Sequence, residues 1–290
     1  MALDLVRHLV AGGPYELTDV ATAKECYALF RGQRGAKAVA TPLLTMPADN
    51  AKYAKSIKLN EERAEDAYIL TFGLSLAQAD SSHQWNTCRF SSPECRMGCV
   101  SFAGKGELAT VQAGRIRKTQ FLAEHPSEFF TLLFAELQKV WETHGTHALV
   151  RLNTFSDIPW ETLSPSVFAR FPRMRFYDYT KWGVRSMDAN LGAFEWPGNY
   201  RLIYSASEKT KDSDVVRSVM DGVNYAVLFD VPRGQPLPAI WEGVQVIDGD
   251  SSDDRWYDAK YSVIGLRAKG RMRKGNWKMV RKVHNKKENT

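Results

Sequence analysis

Three cysteines crowd into one short stretch of this chain. Cys88, Cys95 and Cys99 lie within NTCRFSSPECRMGC, spaced C-x6-C-x3-C, while Cys26 stands far upstream. Thiolates are soft ligands that suit zinc and iron–sulfur clusters. Gly98 and the Ser91-Ser92-Pro93 turn permit the bends needed to bring three of them around one centre. The N-terminal MALDLVRHLVAGG carries Asp4, Arg7 and His8 and reads as a first helix rather than a signal peptide. Metal binding or redox chemistry is therefore expected over a structural disulfide. A structural zinc would take a fourth ligand, with His83 and Cys26 as candidates. A three-cysteine cluster would leave one iron without a protein thiolate. Zinc and iron–sulfur both stay open.

Acids form the second set of candidates. Asp157 and Glu161 follow one strand candidate, and Asp248 and Asp250 follow another. Paired carboxylates bind Mg²⁺ or transfer protons, so these four are expected to be catalytic. Asn153, Ser156, Tyr177, Asp178, Tyr179, Lys181, Ser205, Ser207, Glu208, Asp253, Asp254 and Arg255 also fall at or beyond strand ends. In a parallel sheet such groups meet around one mouth. Arg115, Arg117 and Lys118 suggest a basic helix face near the cysteines.

Charge is unevenly divided. From Arg267 onward ten basic residues meet only Glu288, giving +9, and the remainder carries 29 basic against 32 acidic residues, or −3. Such a segment suits a polyanion. Arg271, Arg273, Lys274, Lys278, Arg281 and Lys282 are the expected nucleic-acid contacts, with Trp277 available to stack on a base.

The elements that must position these groups are strands and helices in alternation. Apolar runs rich in β formers occupy 67–77, 147–155, 174–180, 199–207, 224–231, 243–249 and 261–269. Pro126 and Glu128 open a long helix that stops at Gly145, and Ser213 or Asp212 caps another. This predicts an α/β fold with a mainly parallel sheet, read as a partial (β/α) barrel because no Gly-rich dinucleotide fingerprint opens a helix. Residues 1–40 form an N-terminal helical segment, 41–270 the α/β metal-binding domain, and 271–290 a basic, flexible tail. No run of about 18 uncharged apolar residues occurs, so no membrane span is expected.

The stretches NTCRFSSPECRMGCVSFAGKG, RIRKTQF, VRLNTFSDIPWE, FYDYTK, NYRLIYSASE, VIDGD and VIGLRAKG follow one another in an order that resembles the gene product 88 group of phage and plasmid proteins. The likeness runs from about Leu43 to Gly270. It implies a phage or mobile-element origin and a place in the cytoplasm of a host cell, but no reaction. A more distant likeness to radical S-adenosylmethionine enzymes implies a cluster in a loop after the first barrel strand, with S-adenosylmethionine as a cofactor. Cys95 and Cys99 match the first interval of their C-x3-C-x2-C motif, but position 102 is Phe. The reading is thus a phage-type metal- or iron–sulfur-binding protein that acts on nucleic acid or a nucleotide. The alternatives are a non-enzymatic nucleic-acid-binding protein with a structural zinc and a protein that binds a host partner.

Overall fold

In the computed structural model, residues 3–16, 23–32, 42–55, 57, 69–183 and 196–283 are described. Parts of the expected N-terminal helical segment, and Lys286 and Lys287 of the tail, lie outside them. Each of the seven apolar runs contains a strand: Leu70–Leu74 (β1), Ala148–Arg151 (β2), Arg175–Thr180 (β3), Tyr200–Ser205 (β4), Tyr225–Phe229 (β5), Val244–Asp248 (β6) and Ser262–Arg267 (β7). They pair in the order β1-β2-β3-β4-β5-β7-β6, every pair parallel. Leu44–Thr45 adds an antiparallel edge beside β1, and Ile240–Trp241 one beside β6. The two edges do not pair with each other, so the sheet is open rather than a closed barrel.

Alternation along each strand sorts residues between two faces. Phe72, Leu74, Val150 and Phe176 pack with helices Leu5–Gly12 (α1), Ala23–Gly32 (α2), Ala109–Glu124 (α3) and Pro126–His144 (α4). Val227, Phe229 and Val263 pack with Val215 and Val219 of Asp212–Met220 (α5). Their neighbours Leu149, Tyr177, Ile203, Ala226 and Ile264 point the other way, into a cluster joined by Trp256. Covering both faces is what a parallel sheet requires. α4 opens on Pro126 and stops at Gly145, whose φ of +53° suits glycine. α5 starts at Asp212, one residue after Lys211, with no side-chain cap. Among the described residues no helix is long and apolar enough to cross a membrane.

Two buried groups tie the N-terminal portion to the sheet edge. The Glu136 carboxylate of α4 accepts from the amides of Leu43 (2.8 Å) and Leu44 (2.7 Å) and from the Tyr27 hydroxyl (2.6 Å). Lys118 Nζ donates to the Leu43 carbonyl (2.7 Å), and Arg115 Nη1 to the Ser101 carbonyl (2.9 Å). Both side chains are buried, so the expected basic face of α3 is partly interior.

Residues 271–283 of the expected tail pack against the fold. Val280–Arg281 (β8) pairs with Leu228 and Phe229 of β5, beyond Ala226 where β4 stops pairing. Met272 and Met279 are buried. A Cβ on Gly98 would overlap Met272, so this glycine is required by close approach. The Glu94 carboxylate accepts from the amides of Lys278 (3.1 Å) and Met279 (2.7 Å). The segment is a strap across the cysteine-bearing stretch. Composition hid this, because two methionines, two amides and Arg281, which is paired with Asp212, dock it while its other cations are exposed. Met272→Ala should lower unfolding free energy by about 3 kcal/mol in a denaturant titration, the usual cost of emptying a buried methionine site. No change would return the segment to a loose tail.

Candidate active site

The C-terminal ends of β1 to β4 surround a cavity of about 130 Å³. Gln78 and Ala79 line it after β1, Arg151 and residues 153–157 at and after β2, Tyr179, Thr180 and Lys181 around the end of β3, and Ser205 at the end of β4. The stretch after β1 closes the wall with Cys88, Ser91, Cys95, Arg96 and Cys99. All three clustered cysteines therefore face one space, at the sheet edge where parallel α/β folds collect their ligands.

Local hydrogen bonds hold the cysteine stretch there. Thr87 Oγ1 donates to the Ala77 carbonyl (2.6 Å), and the Ala77 amide donates to Thr119 Oγ1 on α3 (2.9 Å). The Ala79 amide donates to Cys88 Sγ (3.4 Å), and Cys88 Sγ in turn donates to the Phe155 carbonyl (3.4 Å). Ala79 takes φ +43°, a strained value for a residue with a Cβ, at the wall of the site. Ser92 caps the short helix Pro93–Met97 by accepting from the Cys95 amide (3.3 Å), and its hydroxyl donates to Glu208 beyond β4.

Asp157 joins this stretch to the sheet. Its amide donates to the Thr87 carbonyl (3.0 Å), while its carboxylate accepts from Thr180 Oγ1 (2.7 Å) and the Lys181 amide (3.0 Å). Asn153 shapes the same loop: its Oδ1 accepts from Ser156 Oγ (2.8 Å), the Ile158 amide (2.9 Å) and Trp160 Nε1 (3.1 Å). The Asn153 amide donates to Asp178 (2.6 Å), which also receives the Tyr200 hydroxyl (2.9 Å).

Burial pushes the Cys88 thiol well above its ordinary range. It also raises Cys95, against the opposing pull of Lys181. Cys99 lies within electrostatic range of Cys88, Cys95 and Arg115. Buried thiols of this kind ionise when a cation supplies the compensating charge. Among the described residues no three His, Cys, Asp or Glu already stand as a metal shell. The donor chemistry of the wall, three soft sulfurs, nevertheless fits zinc or an iron–sulfur cluster. Of the candidate fourth ligands, Cys26 is packed in the helical core and His83 is not in the cavity wall.

A sequence model for the family described as gene product 88 matches residues 42–283. The chain belongs to the gene product 88 family. The match takes in the whole cavity wall and the strap, and it agrees with the resemblance carried by the motifs. The likeness to radical S-adenosylmethionine enzymes gains no support from it. Searches of curated proteins and of solved structures return no match.

The acids expected to be catalytic divide in this family member. Asp157 lines the cavity with both carboxylate oxygens engaged. Glu161 is fully buried on the turn Trp160–Leu163 and is not part of the wall. Asp248 and Asp250 lie away from it, paired with Arg267 at 3.0 and 3.3 Å, and Asp250 also with Lys269. Their partners come from the end of the adjacent strand β7, which position in the sequence does not reveal. Burial works against ionisation of Asp250, but Lys269 and Arg267 outweigh it and hold its carboxyl below the ordinary range. Among the expected nucleic-acid contacts, Arg271 lies over the Phe102 ring at 4.6 Å and Arg281 is bound to Asp212 at 2.8 Å. Arg273, Lys274, Lys278 and Lys282 are exposed. Trp277 donates Nε1 to the Lys274 carbonyl (2.7 Å).

Asp253 and Tyr177, expected at the mouth, instead form a support beneath the cavity with Arg151, Lys52 and Tyr53, which the sequence did not single out. Arg151 donates to Asp253 (3.1 Å), a fully buried carboxylate that also holds Lys52 and the Tyr177 hydroxyl (2.7 Å). Tyr53 lies against Gly73 and shares a hydrogen bond with Thr154 (2.8 Å). An arginine closing the apolar strand ALVR was the available signal. Burial alone would raise the Asp253 carboxyl, but Lys52 and Arg151 win and hold it well below the ordinary range. Its contribution to stability is therefore complete above that range and lost as pH falls through and below it. Asp253→Asn should cost about 3–5 kcal/mol at neutral pH, because it leaves buried cations uncompensated. The gap to the parent should narrow in acid; chemical denaturation at both pH values measures it, and equal stability at neutral pH would contradict the assignment.

Proposed function

We propose that this member of the gene product 88 family is a phage-type enzyme whose cavity carries a metal ion or iron–sulfur cluster on Cys88, Cys95 and Cys99, and whose substrate is a nucleotide or nucleic acid. The observation that carries the reading is the meeting of all three cysteines with the ends of β1 to β4 in one wall. Chance clustering of cysteines in sequence does not require them to line a single cavity. We read the open sheet, with its helices on one face and its strand ends at the site, as an incomplete barrel. The setting we propose is the cytoplasm of a host cell.

Three protein thiolates leave a coordination position for substrate or water, and the bound group would supply Lewis-acid or electron-transfer chemistry there. The chain's own residues do the rest. Asp157 fixes the spacing between the cysteine stretch and β3. Lys181, held by the Ala206 carbonyl (3.1 Å), places a positive charge beside Cys95. The strap covers the outer side of the cysteine stretch through Met272 and Glu94. A second reading, a non-enzymatic nucleic-acid-binding protein with structural zinc, is favoured by the exposed Arg273, Lys274, Lys278 and Lys282 on that strap. Such binding would weaken steeply with salt.

Anaerobic purification followed by metal analysis and an absorption spectrum tests both readings. Bound iron with a visible band supports the cluster enzyme, and colourless protein with zinc supports the binding module. Cys95→Ser should lose most of the metal, and Cys26→Ser should keep it. Metal-free parent protein, or full metal in Cys95→Ser, would overturn the proposal.

A further inference from the structure

We infer that Arg115 is the counter-ion of the cysteine centre, a positioning residue behind Cys99 whose buried positive charge is matched by the thiolates once they hold their metal or cluster. This rests on the reading that Cys88, Cys95 and Cys99 ligate one centre, and it adds the residue that balances the charge of that centre.

The observation is a buried cation without an acid. Arg115 stands on α3 with its side chain in the interior. Its Nη1 donates to the Ser101 carbonyl (2.9 Å), two residues beyond Cys99. Its guanidinium lies over the Phe155 ring, 4.2 Å from the ring centre. Neither partner is charged, and among the described residues no carboxylate is paired with Arg115. The other buried cations each have an acid: Arg151 has Asp253, Arg255 has Asp258 at 3.1 Å, and Lys118 lies within electrostatic range of Glu136. A charge taken out of water is costly unless an opposite charge comes with it. For Arg115 the group that offsets burial is Cys99. Three thiolates carry more negative charge than a divalent ion returns, so a loaded centre is an anion with a cation already placed behind it. The same arginine reaches the Cys88 side, because the Phe155 carbonyl that accepts from Cys88 Sγ (3.4 Å) belongs to the residue whose ring it covers. Partners one layer outside the ligands orient them and tune how firmly the metal is held. The competing account is that Arg115 is only a clamp between α3, Ser101 and Phe155.

Removal of zinc from the zinc-loaded full-length protein by a competing chelator separates the two. Zinc is the probe because thiolates take it whether the resident group is zinc or a cluster. Arg115→Met removes the charge and keeps an apolar stem on the Phe155 ring. The Ser101 carbonyl is not orphaned by it, since Gln112 Nε2 also donates there (3.4 Å). This variant should hold zinc about tenfold more weakly than the parent, the usual effect of losing an outer partner of a metal site. Arg115→Lys, which keeps the charge, should recover most of the affinity. Where Arg115→Met does not fold, Arg115→Gln carries the same comparison. Unchanged affinity in the neutral variant would overturn the inference. Equal losses in the neutral variant and in Arg115→Lys would also overturn it and leave Arg115 as a clamp. A parent protein that takes no zinc would instead overturn the cysteine centre, and this inference with it.

Discussion

Asp157 is the joint on which the site depends. One residue supplies an amide to the cysteine stretch and a carboxylate to the end of β3, so the separation of these two walls is set by three hydrogen bonds. The same stretch is also tied through Thr87 and Ala79, through Ser92 to Glu208, and through Glu94 to the strap. With Asp157 in place, three thiols and the ends of four parallel strands share a space small enough for their chemistry to combine. Asn153 performs a similar task within its own loop, since its side chain gathers Ser156, Ile158 and Trp160.

Beneath that joint lies an ionic layer rather than an apolar one. Asp253 is withdrawn from water, yet it is ionised because Lys52, Arg151 and Tyr177 converge on it. Buried ion pairs are poor investments in stability but strong devices for fixing geometry. Here the layer fixes the orientation of Arg151, which belongs both to the interior and to the cavity wall. The strap acts from the other side. Its docking through Met272, Met279 and Glu94 couples the C-terminal segment to the helix that carries Cys95.

Much of this was legible in the residues. Seven apolar runs named seven strands, because a strand buried on both faces needs an uninterrupted apolar stretch. The cysteine spacing marked a stretch that lines the cavity, because a loop after a parallel strand faces the ligand edge. What the sequence could not convey was which acids look inward. Glu161 and Asp157 are four residues apart, yet one is interior and the other lines the cavity. Asp248 and Asp250 found cations on β7, a partner set by strand order rather than by distance along the chain. Lys52, far from Asp253 in sequence, meets it only through the fold. The packing of the strap was hidden for a related reason: net charge describes the exposed side of a segment and says nothing of the two methionines that bind it.

The central claim is that Cys88, Cys95 and Cys99 ligate one centre together, and X-ray absorption at the edge of the bound metal tests it most directly. The account predicts sulfur scatterers at about 2.3 Å, the length of a metal–thiolate bond, with their number falling when Cys88 is replaced by serine. A first shell of nitrogen and oxygen alone would contradict it.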